Sequence, residues 1–421
     1  MKPKHMTTIR SIATIYDGPH ATPTKLESGP YFLSISSLDK GRLDLSKSAS
    51  LSEDDFKKWT KRVTPEEGDL LFSYETRLGE AALMPSGIRA CLGRRMGLLR
   101  LNREKVIPEY ALYAYLSPVF QQTIKANTIT GATVDRIALN ELPDFPIRIP
   151  PLDEQKYVAR LLSGIDEKIE LNNRINTELE AMAKTLYDYW FVQFDFPDAN
   201  GNPYKTSGGK MVYNSTLKRR IPEDWEVVPL KKLVSLVKGN VSPSEIEPST
   251  PYIGLEHIQR KKLSLEDWAM SQSAESDKTV FKKGDILFGK IRPYFHKVTV
   301  APFDGITSTD TLIFRPTSKN YFGVALEVIF SDEFISLASQ SSTGSKMPRA
   351  DWGVLKQYSI AIPSEELLSQ FQVKIEQFVN YLNLTTLENR ELRKLRDWLL
   401  PLLMNGQVTV TSSTQPKTAE A

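Results

Sequence analysis

The sequence predicts an α+β fold made of two mixed α/β domains, each followed by a long helix, with the two helices packed on each other. Three observations lead to this prediction. The 421 residues exceed what one ordinary hydrophobic core holds. The second half of the chain matches the first over long stretches. In each copy, one part has apolar residues three and four positions apart, and the other has short alternating segments.

The repeat is the strongest signal. Residues 130–136 (TGATVDR) match residues 343–349 (TGSKMPR), 213 positions later, and the same offset continues without a gap into the residues that follow. Upstream, residues 68–72 match residues 284–288 at an offset of 216. In the part of each copy that lies between the matched segments, little sequence identity remains. A repeat this long is a duplicated domain and not a solenoid repeat.

The best-matched part of each copy predicts a helix, over residues 153–191 and 364–404. Its apolar positions form one narrow seam, which a helix cannot bury alone. The predicted seam residues are Val158, Leu162, Ile165, Ile169, Asn176, Leu179, Met182 and Leu186 in the first helix, and Phe371, Ile375, Phe378, Leu382, Asn389, Leu392, Leu395 and Leu399 in the second.

Asparagines interrupt the apolar seam at Asn172, Asn176 and Asn389. One interpretation is that they mark helix ends or a solvated bulge. The other is that paired seam asparagines fix the register of the two helices at some cost in stability.

The parts before the helices predict mixed structure. Alternating segments predict strands, and more continuous apolar segments predict helices at 109–116 and 323–330. The predicted strands are residues 31–35, 69–72, 285–288, 297–300 and 311–314. A stretch rich in Pro, Gly and Asn predicts a linker. The predicted divisions are a first domain (1–150), a first helix (151–192), a linker (193–221), a second domain (222–363), a second helix (364–406) and a disordered tail (407–421).

Composition excludes several classes of protein. Cys91 is the only cysteine, which rules out an intramolecular disulfide and a cysteine zinc site. The four histidines lie in no zinc-hydrolase motif, and no apolar run is long enough to span a membrane. We therefore expect a cytoplasmic protein without a bound metal. The net charge of +3 supports nucleic-acid binding only weakly.

Two motifs that could carry chemistry fail on their context. Residues 284–290 (GDILFGK) fit the spacing of a phosphate-binding loop, but Ile291 stands where Mg²⁺ requires Ser or Thr. Pro143-Asp144 followed by Asp166-x-Lys168 loosely resembles a metal-dependent nuclease pattern, but Asp166 and Lys168 lie inside the predicted seam helix, where charges normally face solvent. No catalytic residues are predicted.

Basic residues near aromatic ones are candidates for contacts with phosphates and base edges. The alternative is that each is an ordinary surface residue, and Arg136 and Arg349 could instead tie their loops to the helices. The candidates are Arg77, Arg94, Arg95, Thr133 and Arg136 in the first copy, and Lys290, Arg292, Lys297, Lys346 and Arg349 in the second.

The whole pattern resembles the specificity (S) subunit of type I restriction–modification systems. A divergent domain, a Thr-Gly loop, an Ile-Pro ending and a long helix occur twice. Further resemblance lies in residues 17–23 (DGPHATP), 186–191 (LYDYWF), 194–198 (FDFPD), 207–211 (SGGKM) and 221–226 (IPEDWE). The Ile-Pro-x-x-Trp segment before the second domain has no counterpart before the first, so the first copy starts shorter.

The resemblance implies an antiparallel coiled coil with pseudo-two-fold symmetry between two target-recognition domains. It further implies a non-catalytic subunit that reads an asymmetric bipartite DNA target and docks two methyltransferase subunits on its helices, through which two restriction subunits can join. S-adenosylmethionine, ATP and Mg²⁺ would belong to those partners, and this chain would need no cofactor. The alternatives are a self-contained nuclease or methyltransferase, which would turn over DNA without partners, and a purely structural scaffold.

Overall fold

The computed structural model describes residues 4–19, 22–131, 134–271, 276–344 and 346–408. The chain forms two compact units. Unit 1 comprises residues 1–167 and 392–421, and unit 2 comprises residues 168–391. Unit 2 is continuous in sequence, whereas unit 1 joins the first domain to the end of the second long helix.

Unit 1 is mixed α/β, as predicted. Its helices are α1 (Glu53–Trp59), α2 (Pro108–Leu116) and α3 (Pro118–Ala126). Its strands are β1 (Met6–Thr8), β2 (Ala13–Asp17), β3 (Leu26–Phe32), β4 (Leu38–Asp39), β5 (Arg42–Leu43), β6 (Ala49–Ser50), β7 (Leu70–Ser73), β8 (Ala81–Leu83), β9 (Ala90–Cys91), β10 (Met96–Leu101), β11 (Thr128–Ile129), β12 (Arg136–Ile137) and β13 (Pro146–Arg148).

The first long helix, α4 (Leu152–Tyr187), continues into a π-helical turn at Asp188–Val192. Unit 2 then contains the short helices α5 (Leu230–Leu233), α6 (Phe322–Phe330), α7 (Asp332–Gln340) and α8 (Trp352–Leu355). Its strands are β14 (Met211–Asn214), β15 (Arg219–Pro222), β16 (Glu226–Pro229), β17 (Val234–Leu236), β18 (Asn240–Val241), β19 (Pro251–Ile253), β20 (Ala269–Met270), β21 (Lys278–Phe281), β22 (Ile286–Gly289), β23 (Val298–Val300), β24 (Gly305–Ser308), β25 (Thr311–Pro316) and β26 (Ser359–Ile362). The second long helix is α9 (Glu365–Met404).

The duplication is visible in the strand order of the two units. Unit 1 has a four-stranded antiparallel sheet in the order β2-β10-β7-β8, and unit 2 has the equivalent sheet in the order β17-β25-β22-β23. The parallel pair β3–β9 recurs as β19–β24. The antiparallel pair β3–β6 likewise recurs as β19–β20. Unit 2 extends that second sheet with β18 and β21, so the divergence noticed in the sequence is a difference in strands around a shared framework.

The Gly-Asp pairs of the repeat build the same turn twice. Gly68 and Gly284 have φ values of +79° and +87°, which favour glycine. The aspartate that follows each glycine is buried and forms an ion pair with an arginine on the central strand of its sheet. Arg100 Nη2 lies 2.8 Å from Asp69 Oδ2, and Arg315 Nη2 lies 2.6 Å from Asp285 Oδ2. The GDILFGK motif is therefore a structural turn followed by a buried strand.

The hydrophobic core of each unit is closed by the end of a long helix. In unit 1, Val158 and Leu162 from α4 share a core with Leu403 and Met404 from α9. In unit 2, the core includes Trp190 and Phe191 beyond the end of α4, packed with Phe371 of α9.

The segment predicted as a linker is packed and partly regular. Phe194 and Phe196 are buried beside Trp225, and β14 pairs with β15 in a hairpin. The apolar rings in a Pro- and Gly-rich stretch explain the difference, because they add to the core of unit 2. Gly406, the last residue of the predicted second helix, has a φ of +69° just after the end of α9. Residues 409–421 of the predicted tail lie outside the described residues.

Candidate nucleic-acid interface

In unit 2, three loops are tied together by backbone hydrogen bonds at the end of β22. The Lys290 N–H donates to the Asp310 carbonyl (2.8 Å), and the Ala350 N–H donates to the Lys290 carbonyl (2.9 Å). The Arg292 N–H donates to the Pro348 carbonyl (2.7 Å), and Ile291 forms a β-bridge with Arg349. We call residues 290–292, 310 and 346–350 the loop platform of unit 2.

Unit 1 repeats this arrangement bond for bond. The Tyr74 N–H donates to the Arg95 carbonyl (3.2 Å), and the Ile137 N–H donates to the Tyr74 carbonyl (2.9 Å). The Thr76 N–H donates to the Asp135 carbonyl (3.1 Å). The β-bridge between Glu75 and Arg136 corresponds to the bridge in unit 2. Residues 74–77, 94–95 and 135–137 form the loop platform of unit 1.

One strained backbone position occurs in both platforms. Thr76 and Arg292, which are equivalent at the offset of 216, have φ values of +69° and +48°. Non-glycine residues rarely adopt this left-handed conformation, and such outliers tend to persist where the surroundings fix them. Their shared strain indicates that the platform backbone was kept when the domain was duplicated.

The side chains on this shared backbone are different. Tyr74, Glu75 and Thr76 of unit 1 stand where unit 2 has Lys290, Ile291 and Arg292, and Arg95 stands where unit 2 has Asp310. Arg136 and Arg349 are the arginine pair that the two platforms share, and both are exposed.

The cationic side chains of the platforms differ in whether they are exposed and whether they already contact a protein group. Arg94 and Lys346 are exposed. Arg95 Nε lies 2.9 Å from Glu75 Oε2, and Arg349 Nε lies 3.8 Å from Asp310 Oδ1. Arg292 is exposed, with Nη2 3.5 Å from the Lys346 carbonyl.

Two predicted cations turn toward the protein. The Lys297 ammonium donates to the Leu255 carbonyl, and burial lowers the pKa of this lysine. Arg77 Nη1 donates to the Ile35 carbonyl at 3.0 Å, and its Nη2 lies 3.4 Å from Glu80 Oε1. Both side chains therefore stabilise their loops through contacts within the protein. Thr133 lies outside the described residues.

The helix seam contains two polar contacts related by the repeat. Asn172 Nδ2 donates to Asn389 Oδ1 at 2.9 Å, and Thr385 Oγ1 donates to Asn176 Oδ1. At the offset of 213, position 172 is equivalent to 385 and position 176 to 389, so each contact is the other with the helices exchanged. The four residues are buried within continuous stretches of α4 and α9, which run antiparallel here. A helix end or a solvated bulge at these positions is thereby excluded.

The apolar seam residues are mostly enclosed. Val158, Leu162, Ile165, Ile169, Phe371, Ile375 and Leu382 are buried, and Leu179, Leu186, Phe378, Leu392 and Leu399 are half-buried.

Met182 and Leu395, which the periodicity assigned to the seam, are instead exposed, with 52% and 44% of their surface accessible. The seam continues in steps of three and four through Asn176, Leu179 and Ala183, which is 4% exposed, so Met182 lies one position to the side of it. In α9 the corresponding seam position is Arg396, which pairs with Asp166, so Leu395 likewise lies beside the seam. Met182 and Leu395 belong to a second set of exposed apolar side chains on the outer faces of the helices, which we call the outer stripe. Its members are Leu171, Ile175 and Met182 on α4 and Tyr381, Leu384, Leu395 and Trp398 on α9. The sequence analysis missed this stripe because it followed a single seam.

Asp166 has a structural environment. Its carboxylate accepts a hydrogen bond from Tyr113 Oη at 2.7 Å and lies 2.8 Å from Arg396 Nη1. Among the described residues, no group of three or more His, Cys, Asp or Glu side chains could hold a metal ion. Within the same residues, no helix is long and apolar enough to cross a membrane.

Comparisons with known proteins agree with this architecture. Residues 8–181 and 222–396 each match the type I restriction modification DNA specificity domain. The type I restriction enzyme MjaIX specificity subunit of Methanocaldococcus jannaschii is 24% identical, over 94% of this chain and 87% of the relative. The MjaVIII specificity subunit of the same organism is 22% identical, over 83% and 81%.

A solved structure has the same fold. The S subunit of a type I restriction–modification system from M. genitalium aligns with a TM-score of 0.57 and 15% identity, covering 96% of each chain. The two sequence matches to the specificity domain together span most of the chain and coincide with the duplicated framework. The chain therefore belongs to the type I restriction–modification DNA specificity family, and its function is that of a specificity subunit, the recognition of DNA sequence.

Proposed function

We propose that each loop platform reads one half of an asymmetric, bipartite DNA target. The observation that carries this proposal is that one backbone arrangement occurs twice with different side chains. Base edges are distinguished by the donors and acceptors that side chains present in a groove, whereas backbone contacts position the protein. The exposed Thr76 offers a hydroxyl group where Arg292 offers a cation, and the buried Tyr74 stands where unit 2 has Lys290. Because the two platforms share a backbone arrangement but carry different side chains, we expect the two half-sites to differ in sequence.

The shared arginines have a different task in this proposal. Arg136 and Arg349 occupy the same place in both platforms, so we assign them to phosphate contacts that both half-sites can provide. The exposed Arg94 and Lys346 flank the platforms and add to this sequence-independent attraction.

The test is a pair of variants that each alter one platform. Lys290→Ala combined with Arg292→Ala should relax sequence selection at one half-site and leave the other half unchanged, because unit 1 keeps its platform. Each lost base contact should cost about 1–3 kcal/mol of discrimination. Arg349→Ala should weaken binding to all sequences and reduce the salt slope by about 1. The readouts are the methylated motif in a host genome and DNA affinity measured across a salt series.

Lys210→Ala is the matched control, since Lys210 is an exposed lysine outside both platforms that pairs with Glu223. It should leave both half-sites intact. A Lys290→Ala/Arg292→Ala variant that altered both half-sites, or neither, would refute the assignment of one platform to one half.

The helices serve as docking elements in the same proposal. The outer stripe leaves side chains as large as Trp398 and Tyr381 exposed, with 63% and 61% of their surface accessible. Exposed apolar patches of this kind mark interaction surfaces. We assign the stripe to apolar helices of two methyltransferase subunits, to which two restriction subunits can be added. In such an assembly the partner subunits carry out the chemistry that uses S-adenosylmethionine, ATP and Mg²⁺, and this chain recognises the DNA sequence.

A further inference from the structure

Unit 2 contains a cavity of about 710 Å³ between α6 and the end of α4, which we call the α6 cavity. This volume lies in the range of sites that hold small ligands. Its walls include Tyr187, Asp188, His296, Glu327 and Tyr358, and none of them belongs to the loop platform.

Two buried polar atoms in the cavity wall have no hydrogen-bond partner among the described residues. Glu327 is 4% exposed and its Oε1 is unpaired, and His296 is 4% exposed and its Nδ1 is unpaired. Buried polar groups are nearly always satisfied, so each exception calls for an explanation. Two such atoms lining one cavity make it a candidate binding site for a group that donates hydrogen bonds.

Among the described carboxyl groups of the cavity wall, Glu327 has an oxygen, Oε1, with neither a cation nor a hydrogen-bond donor, whereas Asp188, Asp332 and Glu333 each have a partner. Lys184 pairs with Asp188, and Lys261 Nζ lies 3.2 Å from Asp332 Oδ1. The hydroxyl group of Tyr358 donates to Glu333 Oε2 at 3.3 Å. Arg219, the remaining cation in the wall, donates to the Phe191 carbonyl at 3.4 Å and stacks on the Phe194 ring.

The histidine in the wall also presents an acceptor. Its Nε2 lies 2.8 Å from the Phe330 carbonyl, which can only accept, so the ring proton is on Nε2. Burial lowers the pKa of His296 and favours the neutral ring. The free Nδ1 lone pair then lies 3.4 Å from Asp332 Oδ1, so two acceptors face each other where a donor would fit.

The equivalent place in unit 1 is already satisfied by the chain itself. Glu327 on α6 corresponds to Tyr113 on α2, and Tyr113 donates to Asp166, which pairs with Arg396. At the offset of 213, the residue equivalent to Arg396 is Ala183, which has no cation to offer. Unit 2 thus lacks the guanidinium group that unit 1 places in this region.

We propose that the α6 cavity binds a guanidinium group that pairs with Glu327 and donates to His296. A planar fork of N–H donors carrying one positive charge matches a carboxylate and an imidazole lone pair that line the same cavity. The group can come from a free small molecule or from an arginine side chain of a partner subunit. The small-molecule source does not depend on the proposed docking, whereas the side-chain source rests on it.

The first arm of the test is calorimetric titration of agmatine into the full chain at pH 7 in two buffers of different ionisation heat. Binding should saturate at one site and release protons, because the pKa of Glu327, raised by burial to about 8, falls when a cation arrives. Asp188 and Glu180 raise this pKa further and Lys184 lowers it, so the carboxyl group is mostly protonated before binding. Glu327→Gln should weaken agmatine binding at least tenfold and abolish proton release.

Glu333→Gln is the matched control, because Glu333 lines the same cavity but already accepts from Tyr358. It should change agmatine affinity less than twofold. Cooperative melting of Glu327→Gln confirms its fold, and this is expected because glutamine has the shape of the protonated acid.

The second arm distinguishes the two sources. If agmatine does not bind, assembly with the methyltransferase subunits should weaken at least tenfold in Glu327→Gln and not in Glu333→Gln. The proposal is overturned if agmatine binds equally well to Glu327→Gln, or if it fails to bind and Glu327→Gln assembles normally. If the unaltered chain does not bind methyltransferase subunits at all, the docking proposal fails. The agmatine titration alone then decides whether the α6 cavity binds a guanidinium group.

Discussion

At the scale of single residues, the asparagines of the seam connect sequence to helix pairing most directly. Asn172 and Asn389 are buried and bond to each other, although leucine at both positions would bury more apolar surface. Polar seam residues of this kind trade stability for a defined register. Because the Asn176–Thr385 contact repeats the arrangement with the helices exchanged, a shift of one helix along the other would break both contacts.

Asn389→Ala should destabilise the protein by about 1–3 kcal/mol, because it removes two buried or part-buried hydrogen bonds, from Asn172 Nδ2 to Asn389 Oδ1 and from Asn389 Nδ2 to Asn173 Oδ1, and leaves Asn172 Nδ2 with Glu388 as its acceptor. Thermal or denaturant unfolding measures this change. Asn380→Ala is the control, since Asn380 is exposed on the same helix. The double variant Asn172→Leu/Asn389→Leu should recover or exceed the original stability. If the double variant lost as much free energy of unfolding as Asn389→Ala, this would contradict the idea that the asparagines reduce stability in return for a defined register.

Glu327 should make stability depend on pH. Its folded-state pKa of about 8 lies above the ordinary value of 4.5, because burial penalises the charged form. The folded state therefore holds a proton that the unfolded chain releases, so this contribution is complete below about pH 4.5 and is lost as the pH rises through 8. Glu327→Gln should become progressively more stable than the unaltered chain over this range, by about 1.4 kcal/mol for each pH unit. Melting temperatures of the two proteins from pH 5 to pH 9 test this, and parallel curves would count against a buried, protonated Glu327.

Residue-level prediction from sequence succeeded where the repeat itself carried the information. Arg136 and Arg349 were matched by offset and lie at equivalent β-bridges. Lys297 could not be assigned in this way, because the Leu255 carbonyl that holds its ammonium group comes from a distant loop. Glu327 was missed, since a single acid in an apolar helix gives no signal until the cavity beside it is known.

At the scale of elements, the outer stripe is the feature with the clearest consequence for assembly. Leu384→Asp should weaken docking of methyltransferase subunits at least tenfold, because it places a charge in an apolar interface. DNA-platform geometry and melting temperature should stay unchanged, since Leu384 is already 62% exposed. The measurement is the affinity between this chain and the methyltransferase subunit.

Gln377→Asp provides the control for that prediction, because it adds the same charge at another exposed position of α9. Equal effects of the two aspartates would show that charge on the helix, and not loss of the apolar contact, weakens docking.

Elements with a periodic sequence were predicted closely, and elements defined by caps were missed. The segments predicted as helices at 109–116 and 323–330 became α2 and α6 within one residue. The helices α3 and α7 were not predicted, although each begins after a serine whose side chain accepts from a backbone N–H, Ser117 and Ser331. The strand expected at residues 31–35 ends at Phe32, because the chain turns into a 3-10 helix at Ile35–Ser37.

At the scale of the whole molecule, the lengths of α4 and α9 are proposed to set the spacing between half-sites. The 36 residues of α4 span about 54 Å at about 1.5 Å per residue. Deleting residues 170–176 and 385–391 together removes the paired asparagines from both helices and keeps the heptad phase of the seam. Each helix shortens by about 10 Å, so the unread spacer should shorten by about three base pairs.

Sequencing of methylated sites in a host that carries the deletion variant gives the new spacer directly. Both half-sites should keep their sequences, because the platforms are untouched. An unchanged spacer would refute the helices as a ruler.

The discontinuity of unit 1 has a consequence for how the protein is made. On the ribosome, unit 2 is fully synthesised once residue 391 has emerged, whereas the core of unit 1 waits for Leu403 and Met404 to cover Val158 and Leu162. The domain translated first is thus completed last. A nascent chain stopped before residue 392 would carry a closed second domain beside an open first one, and a protease or chaperone could tell it from a finished subunit by that exposed core alone.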